Sequence, residues 1–448
     1  MKKVITYGTW DLFHEGHLKL LRRAKALGDY LIVGVTTEEY DNYRGKMNVV
    51  DSLMERVDNV KNTGLADEII IEYRPGQKVE DIQRYDIDVF VVGSDWVGKF
   101  DYLKQYCEVV YLDRTKGISS TLRRQMKHGI VRLGIVGSGR IARRFMAEAK
   151  YVSGTNVEGV YNPSLSSAAA FAELFELGWY TDEFETLMDK VDAVYIASPH
   201  HTHYDYVKRA LECGKHVLCE KPLALQRQQA EEVFALARQK DKVLMEAIKT
   251  AYAPGFMQLL GMVKSGRIGE VVDVEACFTK LVPAGVRELD PGQAGGSVTE
   301  LASYPLLAIV KLLGTDYREC HFETFVNEQG IDLYTKIHLR YKAATATAKV
   351  GLGVKSEGQL VASGTTGYLF VEAPWWKTQM FELRYERVEE NEKFFARFAG
   401  DGLRYELSDF ISVINGSTSH YKLKPDESVA IAGIMEAFLA KENVTVIN

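Results

Sequence analysis

Cysteine is scarce: five among 448 residues, at Cys107, Cys213, Cys219, Cys277 and Cys320. They are scattered, odd in number and form no CxxC pair, which excludes a disulfide framework and a cysteine-built zinc site and points to a reducing compartment. Long apolar runs are missing too. No stretch reaches the ~18 uninterrupted apolar residues of a membrane span, and the N-terminus lacks the pattern of a secretory signal. A cytoplasmic protein with no membrane partner is expected. Charge of one sign is not in excess, since 55 Lys and Arg face 61 Asp and Glu for a net −6. That is no footprint for nucleic acid. A local phosphate site remains open, because a helix N-terminus and a few cations suffice for one. Internal repeats and low-complexity tracts are also lacking.

What is present is alternation. At ~100–200 residues per domain the length predicts two to four domains. Short apolar runs at Val4–Tyr7, Tyr30–Val35, Glu68–Ile71, Val89–Val92 and Val109–Leu112 read as buried strands, with helical spacing over His17–Leu27 and Ser52–Thr63. Strands alternating with helices argue for a parallel sheet. The basic, polar stretch Arg123–Gly129 reads as a linker. At Val131 the pattern restarts, with strands at Val157–Tyr161, Ala193–Ala197, His216–Cys219 and Val243–Ala247 and helices such as Tyr204–Cys213 and Gln226–Gln239. Past Tyr252, longer alternating segments (Val271–Phe278, Asp332–Tyr341, Ala346–Gly351, Gly367–Glu372) suit an antiparallel sheet. A last helix is expected over Asp426–Ala440. The fold class is α/β, in three parts: a Rossmann-like unit over 1–128, a dinucleotide-binding Rossmann unit over 129–250, and an α+β unit with a mostly antiparallel sheet over 251–448.

The stretch Thr9-Trp10-Asp11-Leu12-Phe13-His14-Glu15-Gly16-His17 leaves the first strand and enters the first helix. Parallel sheets bind ligands at the carboxyl ends of their strands, and the helix N-terminus there favours an anion. A histidine can donate to a phosphate oxygen, and Gly16 lets the phosphate approach the backbone. Two histidines three apart also suit half a metal site, but no third ligand is evident.

This stretch, with "GSDWVGKFD" and "RTKGISST" inside Val91–Thr121, resembles the nucleotidyltransferases of the HxGH signature, and within them the glycerol-3-phosphate cytidylyltransferases. The resemblance covers about the first 125 residues. It implies that His14 and His17 contact the phosphates of CTP and stabilise charge at the α-phosphorus. Thr9, Trp10, Asp11 and Gly16 would line the same pocket, Asp11 near a Mg²⁺–triphosphate. Lys46 matches a mobile lysine. Arg114, Ser119, Ser120 and Thr121 would hold the triphosphate at a second helix N-terminus. Asp95, Trp96 and Lys99 would shape the space between nucleotide and alcohol phosphate. Packing is the alternative for Trp96, and a structural role the alternative for Lys46 and Arg56. In-line transfer needs positioning and charge stabilisation more than a protein nucleophile. The segment Tyr73–Val79 lacks an aromatic expected in glycerol-3-phosphate enzymes, which leaves the alcohol open.

Further on, "GIVGSGRIA" sets Gly137, Gly139 and Ala142 in GxGxxA spacing between a strand and a helix. Such a turn lets a pyrophosphate reach the helix N-terminus, with Arg140 and Ile141 beside it. The ribose position, after Val157–Tyr161, holds Asn162 and no acid. With no carboxylate to repel a 2′-phosphate, NADP(H) is slightly favoured over NAD(H).

"ASPHHTHYDYVKRALECGKHVLCEKPLA" (Ala197–Ala224), "EAIKTAYAPGF" and "GGSVTELASYP" resemble the glucose-fructose oxidoreductase / inositol dehydrogenase (Gfo/Idh/MocA) family over about residues 130–448. The resemblance puts Ser198, Pro199, His203 and Glu220 at the cofactor and Lys221 beside both nicotinamide and substrate. Glu300 and Tyr304, at helical spacing, stand where the family has an acid and a proton donor. Glutamate replaces the more usual aspartate, and tyrosine the commoner histidine, as in the dihydrodiol-dehydrogenase branch. Lys249 and Tyr252 are further pocket candidates. Packing is the plain alternative for Tyr304, and a surface position for Lys221.

Together the halves imply an enzyme with two activities: reduction of a keto or aldehydo compound, and coupling of an alcohol phosphate to CTP. The product would be a CDP-alcohol such as CDP-glycerol or a CDP-pentitol, for teichoic-acid-like or capsular polymers. Alternatives of other kinds are a cytidylyltransferase carrying a non-catalytic nicotinamide-binding or dimerising module, and an adenylyltransferase. A homo-oligomer is expected from both families.

Overall fold

The computed structural model describes the chain except residues 12, 14, 44–50, 113–130, 150, 153–154, 417–420 and 448, and except the side chains of 15, 42 and 95. His14, Lys46, Arg114, Ser119, Ser120, Thr121 and the linker stretch 123–129 therefore lie outside the described residues, as does the side chain of Asp95. Internal contacts divide the chain into two units: Met1–Lys127 with Met257–Arg267, and His128–Phe256 with Ile268–Asn448.

In the first unit, strands β1 (Lys3–Gly8), β2 (Tyr30–Thr36), β3 (Glu68–Glu72), β4 (Val89–Gly93) and β5 (Glu108–Leu112) form a parallel sheet in the order β3-β2-β1-β4-β5. Helices α1 (Glu15–Lys25), α2 (Glu38–Tyr43), α3 (Leu53–Lys61) and α4 (Gln77–Tyr85) connect them. The apolar runs are buried because both sheet faces are covered. Ile5, Ile32, Ile70 and Phe90 share a core with Ile82 of α4, each such side chain contributing roughly 1.5–3 kcal/mol on burial. Ser52 starts α3 through a reciprocal cap: its hydroxyl accepts from Glu55 N, and Glu55 Oε2 accepts from Ser52 N at 2.8 Å. Over 77–85 three apolar residues, Val79, Ile82 and Tyr85, recur at helical spacing among polar ones, a short signal that the sequence reading passed over. Helix α4 forms after Gly76, whose φ of +83° turns the chain into it.

The second unit opens with a parallel sheet of six strands: β6 (Val131–Val136), β7 (Thr155–Tyr161), β8 (Trp179–Thr181), β9 (Ala193–Ile196), β10 (His216–Glu220) and β11 (Leu244–Ala247), in the order β11-β10-β9-β6-β7-β8. Helices α5 (Arg140–Ala149), α6 (Leu165–Leu174), α7 (Phe184–Lys190), α8 (His203–Glu212) and α9 (Arg227–Gln239) cover it. Val194, Ile196 and Val217 pack there with Val207 and Leu211 of α8 and Val233 of α9.

After α10 (Pro254–Lys264) the chain builds a nine-stranded sheet from β12 (Val271–Thr279), β13 (Glu319–Val326), β14 (Asp332–Arg340), β15 (Thr345–Gly351), β16 (Leu360–Gly364), β17 (Tyr368–Val371), β18 (Met380–Arg384), β19 (Glu392–Phe395) and β20 (Val444–Ile447). It is mostly antiparallel, with parallel pairs β12·β15 and β13·β20. Burial alternates along β14 and β15, as period-two strands require. Helices α11 (Ser297–Leu301) and α12 (Ser303–Leu313) pack on one face; α13 (Leu403–Ile414) and α14 (Pro425–Leu439) follow. No single helix among the described residues is long and apolar enough to cross a membrane.

One expectation is corrected here. Glu300 and Tyr304 do not share one continuous helix: α11 ends at Leu301, α12 begins at Ser303, and the chain bends by 41° between them. Pro305 has no N–H to donate to the Leu301 carbonyl, so the helix breaks there.

Candidate active sites

Strand order reverses between β1 and β4, so the first sheet opens its crevice at their carboxyl ends. Two candidate segments leave from these ends: Thr9–His17 from β1, and Ser94–Lys99 from β4. The β1 loop is held from below by Arg56, which is 0% exposed. Its guanidinium donates to the carbonyls of Thr9 (2.8 Å), Thr36 (2.6 Å) and Asp51 (3.0 Å) and lies 3.6 Å from the Asp41 carboxylate. Thr9 Oγ1 donates to Asp41 at 3.0 Å, and Asp11 Oδ1 accepts from Asp51 N at 2.8 Å. Arg56 is thus a clamp on the loop.

Trp10 adopts φ +58°, and its indole, 2% exposed, donates to the Gly34 carbonyl at 2.9 Å. Its side chain therefore faces the interior and shapes the turn through its backbone. A Cβ on Gly8 would lie 2.9 Å from that indole, which is why glycine ends β1. His17 sits in the first turns of α1, with Trp10 and Phe13 rings at 5.5 and 5.4 Å. Gly16 precedes it in the same helix.

Trp96 is 42% exposed, with the Lys99 ammonium 5.0 Å from its ring centroid. It is no core tryptophan. It lines a cavity of about 350 Å³ with Tyr40, Glu72, Gly76, Lys78, Phe100 and Tyr102. Lys99 is not part of that lining. Lys78 pairs with Glu72 and lies 4.5 Å from the Tyr7 ring centroid. Nearby, burial pushes the Asp81 carboxyl up to about 6 while it accepts from Tyr7 Oη at 2.8 Å. Sequence reasoning passed over Lys78. The available signal was a lone lysine among the polar residues of α4.

In the second unit the order reverses between β6 and β9. A cavity of about 890 Å³ opens there, and its wall includes Gly137, Gly139, Arg140, Ile141, Asn162, Ser198, Pro199, His203, Glu220, Lys221, Glu300 and Tyr304. All of the second half's candidate residues but Tyr252 are thus brought to one place. Gly137 sits at φ +99°, and a Cβ on it would lie 2.6 Å from the Ala197 carbonyl; Gly139 has nothing within 4 Å of its Cβ direction. This is a turn that a pyrophosphate can approach. Arg140 reaches across to Glu288 at 2.7 Å. Asn162 donates to Ser138 Oγ at 2.9 Å and accepts from Ser164 N at 2.9 Å.

The lysine turn is tightly positioned. His203 ring nitrogens lie 2.7 Å from the Pro222 carbonyl and 2.9 Å from that of Ser198, and burial pushes its pKa down to about 4. With one ring proton at neutral pH, the imidazole donates to one of the two. Glu246 Oε1 accepts from Leu223 N at 2.9 Å, and burial pushes its carboxyl up to about 7. Glu220 accepts from Tyr195 Oη at 2.6 Å, with its pKa also raised by burial. Lys221 Nζ donates to the Glu300 backbone carbonyl at 2.9 Å. The Glu300 carboxylate goes elsewhere, to Arg287 at 2.9 Å, with His200 at 3.8 Å.

Tyr304 packs its ring against Phe278, centroids 5.1 Å apart, and its hydroxyl makes no hydrogen bond among the described residues. Burial above all holds its pKa well above the usual range, so it stays protonated through neutral pH. Tyr252 is a correction: it is buried away from the cavity and donates to the Glu246 carbonyl at 2.8 Å. Its aromatic body fills core, whereas Lys249, three residues earlier, does line the cavity. Arg144, Arg287, Trp376, Lys377 and Asp401 also line it and were not singled out from sequence. Only Arg144 carried a signal, one helical turn beyond Arg140.

Two nucleotide-type crevices, each at a sheet's switch point, define a protein with two ligand sites. Comparison with known proteins places both parts of the chain in families. A cytidylyltransferase-like family model matches residues 5–155. The oxidoreductase family with NAD-binding Rossmann fold matches residues 131–248, and the Gfo/Idh/MocA C-terminal domain residues 256–370. The chain is 57% identical over 121 residues to a glycerol-3-phosphate cytidylyltransferase of Bacillus spizizenii, covering 27% of this chain and 93% of that one. It is 26% identical over 322 residues to an NADP⁺-dependent scyllo-inositol 2-dehydrogenase of Bacillus subtilis, covering 68% and 95%. Among solved structures, a 3-ketoreductase from Actinomadura kijaniata in complex with NADP and TDP-benzene matches with a TM-score of 0.64 at 25% identity, over 71% of this chain and 99% of that one. The chain belongs to the cytidylyltransferase-like family in its first part and to the Gfo/Idh/MocA oxidoreductases in the remainder; it is a nucleotidyltransferase fused to an NAD(P)-dependent oxidoreductase.

Proposed function

We propose that the chain makes a CDP-alcohol by two reactions, with 1–128 as the transferase, 129–250 as the cofactor domain and 251–448 as the substrate domain. In one, a keto or aldehydo compound is reduced to an alcohol. In the other, an oxygen of an alcohol phosphate attacks the α-phosphorus of CTP, the bond to the β-phosphate oxygen breaks, and pyrophosphate leaves. The observation that carries this reading is the gathering of Lys221 and Tyr304 at one cavity with the Gly137–Arg140 turn, in a chain whose other unit resembles glycerol-3-phosphate cytidylyltransferases. Glycerol phosphate or a pentitol phosphate is the proposed acceptor, and teichoic-acid-like or capsular polymers the proposed use. A homo-oligomer is the proposed assembly.

At the first site, His14 and His17 donate to phosphate oxygens as charge grows on them, supported by the N-terminus of α1. Mg²⁺ enters with the triphosphate. A hard cation that keeps waters and phosphate oxygens suits a loop offering one carboxylate, Asp11. At the second site, the Gly137–Arg140 turn fits a dinucleotide pyrophosphate, and the acid-free ribose position at Asn162 favours NADP(H). The reduced nicotinamide, when bound, supplies a hydride. Lys221 polarises the substrate carbonyl, and Tyr304 gives the oxygen its proton.

The test is pyrophosphate release from CTP and Mg²⁺, with glycerol 3-phosphate, glycerol 2-phosphate and pentitol phosphates as acceptors. A second set offers the matching carbonyl phosphates with NADPH or NADH. Release from the second set only with reduced cofactor supports both reactions in that order. Release from polyol phosphates, with no cofactor oxidised by any carbonyl, would overturn the reductive half and leave a nicotinamide-binding module.

A further inference from the structure

We propose that the oxidoreductase cavity contains a seat for a phosphoryl group on the carbonyl substrate, formed by Lys249, Lys377 and Arg144. The proposal rests on the reductase reading above and adds the substrate's class: a ketone or aldehyde that is already a phosphate monoester.

Lys249 follows directly on β11, in the short turn Lys249–Tyr252, and its half-buried side chain lines the cavity. It makes no hydrogen bond or ion pair among the described residues. An ammonium taken partly out of water with no protein acceptor is costly, and burial pushes its pKa down. Lys377 and Arg144 line the same cavity and share a single carboxylate, Asp401, at 3.2 and 3.9 Å.

The other acids nearby do not balance the three cations. Glu148 is taken by Arg404, at 2.8 and 2.9 Å. Glu406 is 0% exposed, and neither of its carboxyl oxygens has a hydrogen-bond partner. Burial, reinforced by Glu220, pushes its pKa well up, so it adds little negative charge. Glu220 also lines the cavity, but it is bonded to Tyr195 and sits beside the further cation Lys221. The wall therefore carries an excess of positive charge facing empty volume.

Three cationic side chains facing one cavity suit a dianion with three oxygens better than a carboxylate with two. The cofactor's own pyrophosphate has its place at the Gly137–Arg140 turn. Lys249 and Lys377 come from other parts of the unit, the end of β11 and the segment before β18. Reduction of such a substrate moves a hydride from NADPH to the carbonyl carbon and a proton to its oxygen, with the phosphate ester untouched. The product is an alcohol phosphate, the acceptor class of cytidylyl transfer, so reduction comes first.

The experiment uses the full chain and matched substrate pairs: dihydroxyacetone and ribulose, each against its phosphate monoester, with NADPH consumption as readout. The phosphate esters are expected to exceed their parents in kcat/KM at least a hundredfold. Lys249→Met and Lys377→Met should each cut that ratio at least tenfold, mainly through KM, and Lys249→Arg should restore most of it. Equal use of the parents, an unchanged ratio in Lys249→Met, or a stronger preference for a keto acid would overturn the proposal. A second measurement needs no turnover. Inorganic phosphate is titrated calorimetrically onto the NADP⁺-loaded chain, and one site should vanish in Lys249→Met. Identical titrations would overturn the seat. A lost site in a protein that oxidises NADPH with no carbonyl compound would uphold the seat and refute the reductase reading.

Discussion

Arg56 and His203 are buried beneath candidate sites in different units: Arg56 donates to backbone carbonyls of separate segments, and His203 sits between two such carbonyls and donates to one. Removing Arg56 takes a cation from beside the buried Asp41 and a donor from three interior carbonyls. Arg56→Met should cost about 3–5 kcal/mol by urea unfolding, and Arg56→Lys should not rescue it, because one ammonium cannot span the three carbonyls. Among the residues proposed to face ligand, His17→Ala should lower pyrophosphate release at least a hundredfold while NADPH binding, read by fluorescence, stays at wild-type affinity. Lys221→Ala and Tyr304→Phe should do the reverse, removing hydride transfer while CDP-product still forms from a preformed alcohol phosphate. Glu246 gives a pH signature. Its carboxyl, ordinarily near 4.5, stands at about 7 in the folded chain. The folded state then holds this proton more tightly than the unfolded state. The group's contribution to stability is greatest below pH 4.5, falls as pH rises to about 7, and is level above. Glu246→Gln keeps an acceptor for Leu223 N and removes the titration. Relative to wild type it should gain up to about 3 kcal/mol between pH 4.5 and 8, measured from urea midpoints.

At the scale of the element, turns decide more than strands. The Gly137 turn joins β6 to α5 in a left-handed conformation directly against the Ala197 carbonyl. Gly137→Ala should weaken NADPH binding at least tenfold and leave CTP-dependent pyrophosphate release unchanged. Apart from the three-residue β8, which was missed, the strands of both parallel sheets were legible because they are continuous apolar runs between charged segments. Helix α3 was legible from the helical spacing over Ser52–Thr63, and α14 from its Pro-Asp-Glu start. Helix α4 was passed over although Val79, Ile82 and Tyr85 recur at helical spacing, because the segment is short and mostly polar; those three side chains pack on the core of the sheet. The break between α11 and α12 could be read from Pro305 in hindsight, but helical spacing from Glu300 to Tyr304 masked it. Glu300 and Tyr304 still line one cavity, since the bend comes between them and turns neither away.

For the whole molecule, two contact-defined units with separate crevices should respond separately to their ligands. CTP with Mg²⁺ should raise one calorimetric transition and NADP⁺ the other, each by about 2.7 kcal/mol at a hundredfold excess over Kd; a single transition moved equally by either ligand would refute this. By itself the sequence determined the fold class and the glycine turn at Gly137–Arg140, and it offered His17, Lys221 and Tyr304 as candidates through motif resemblance. Those are local signals, in which a strand, a turn and a helix start are written within some twenty consecutive residues. Only the tertiary structure decided which distant side chains meet. Arg56 lies 47 residues from Thr9, and the cavity wall joins Arg144, Lys249 and Lys377 from three separate segments. It also decided that Trp10 points inward, Trp96 outward and Tyr252 away from the cavity. Each is an amphipathic side chain whose place depends on what packs above it, and no neighbour in the chain carries that information.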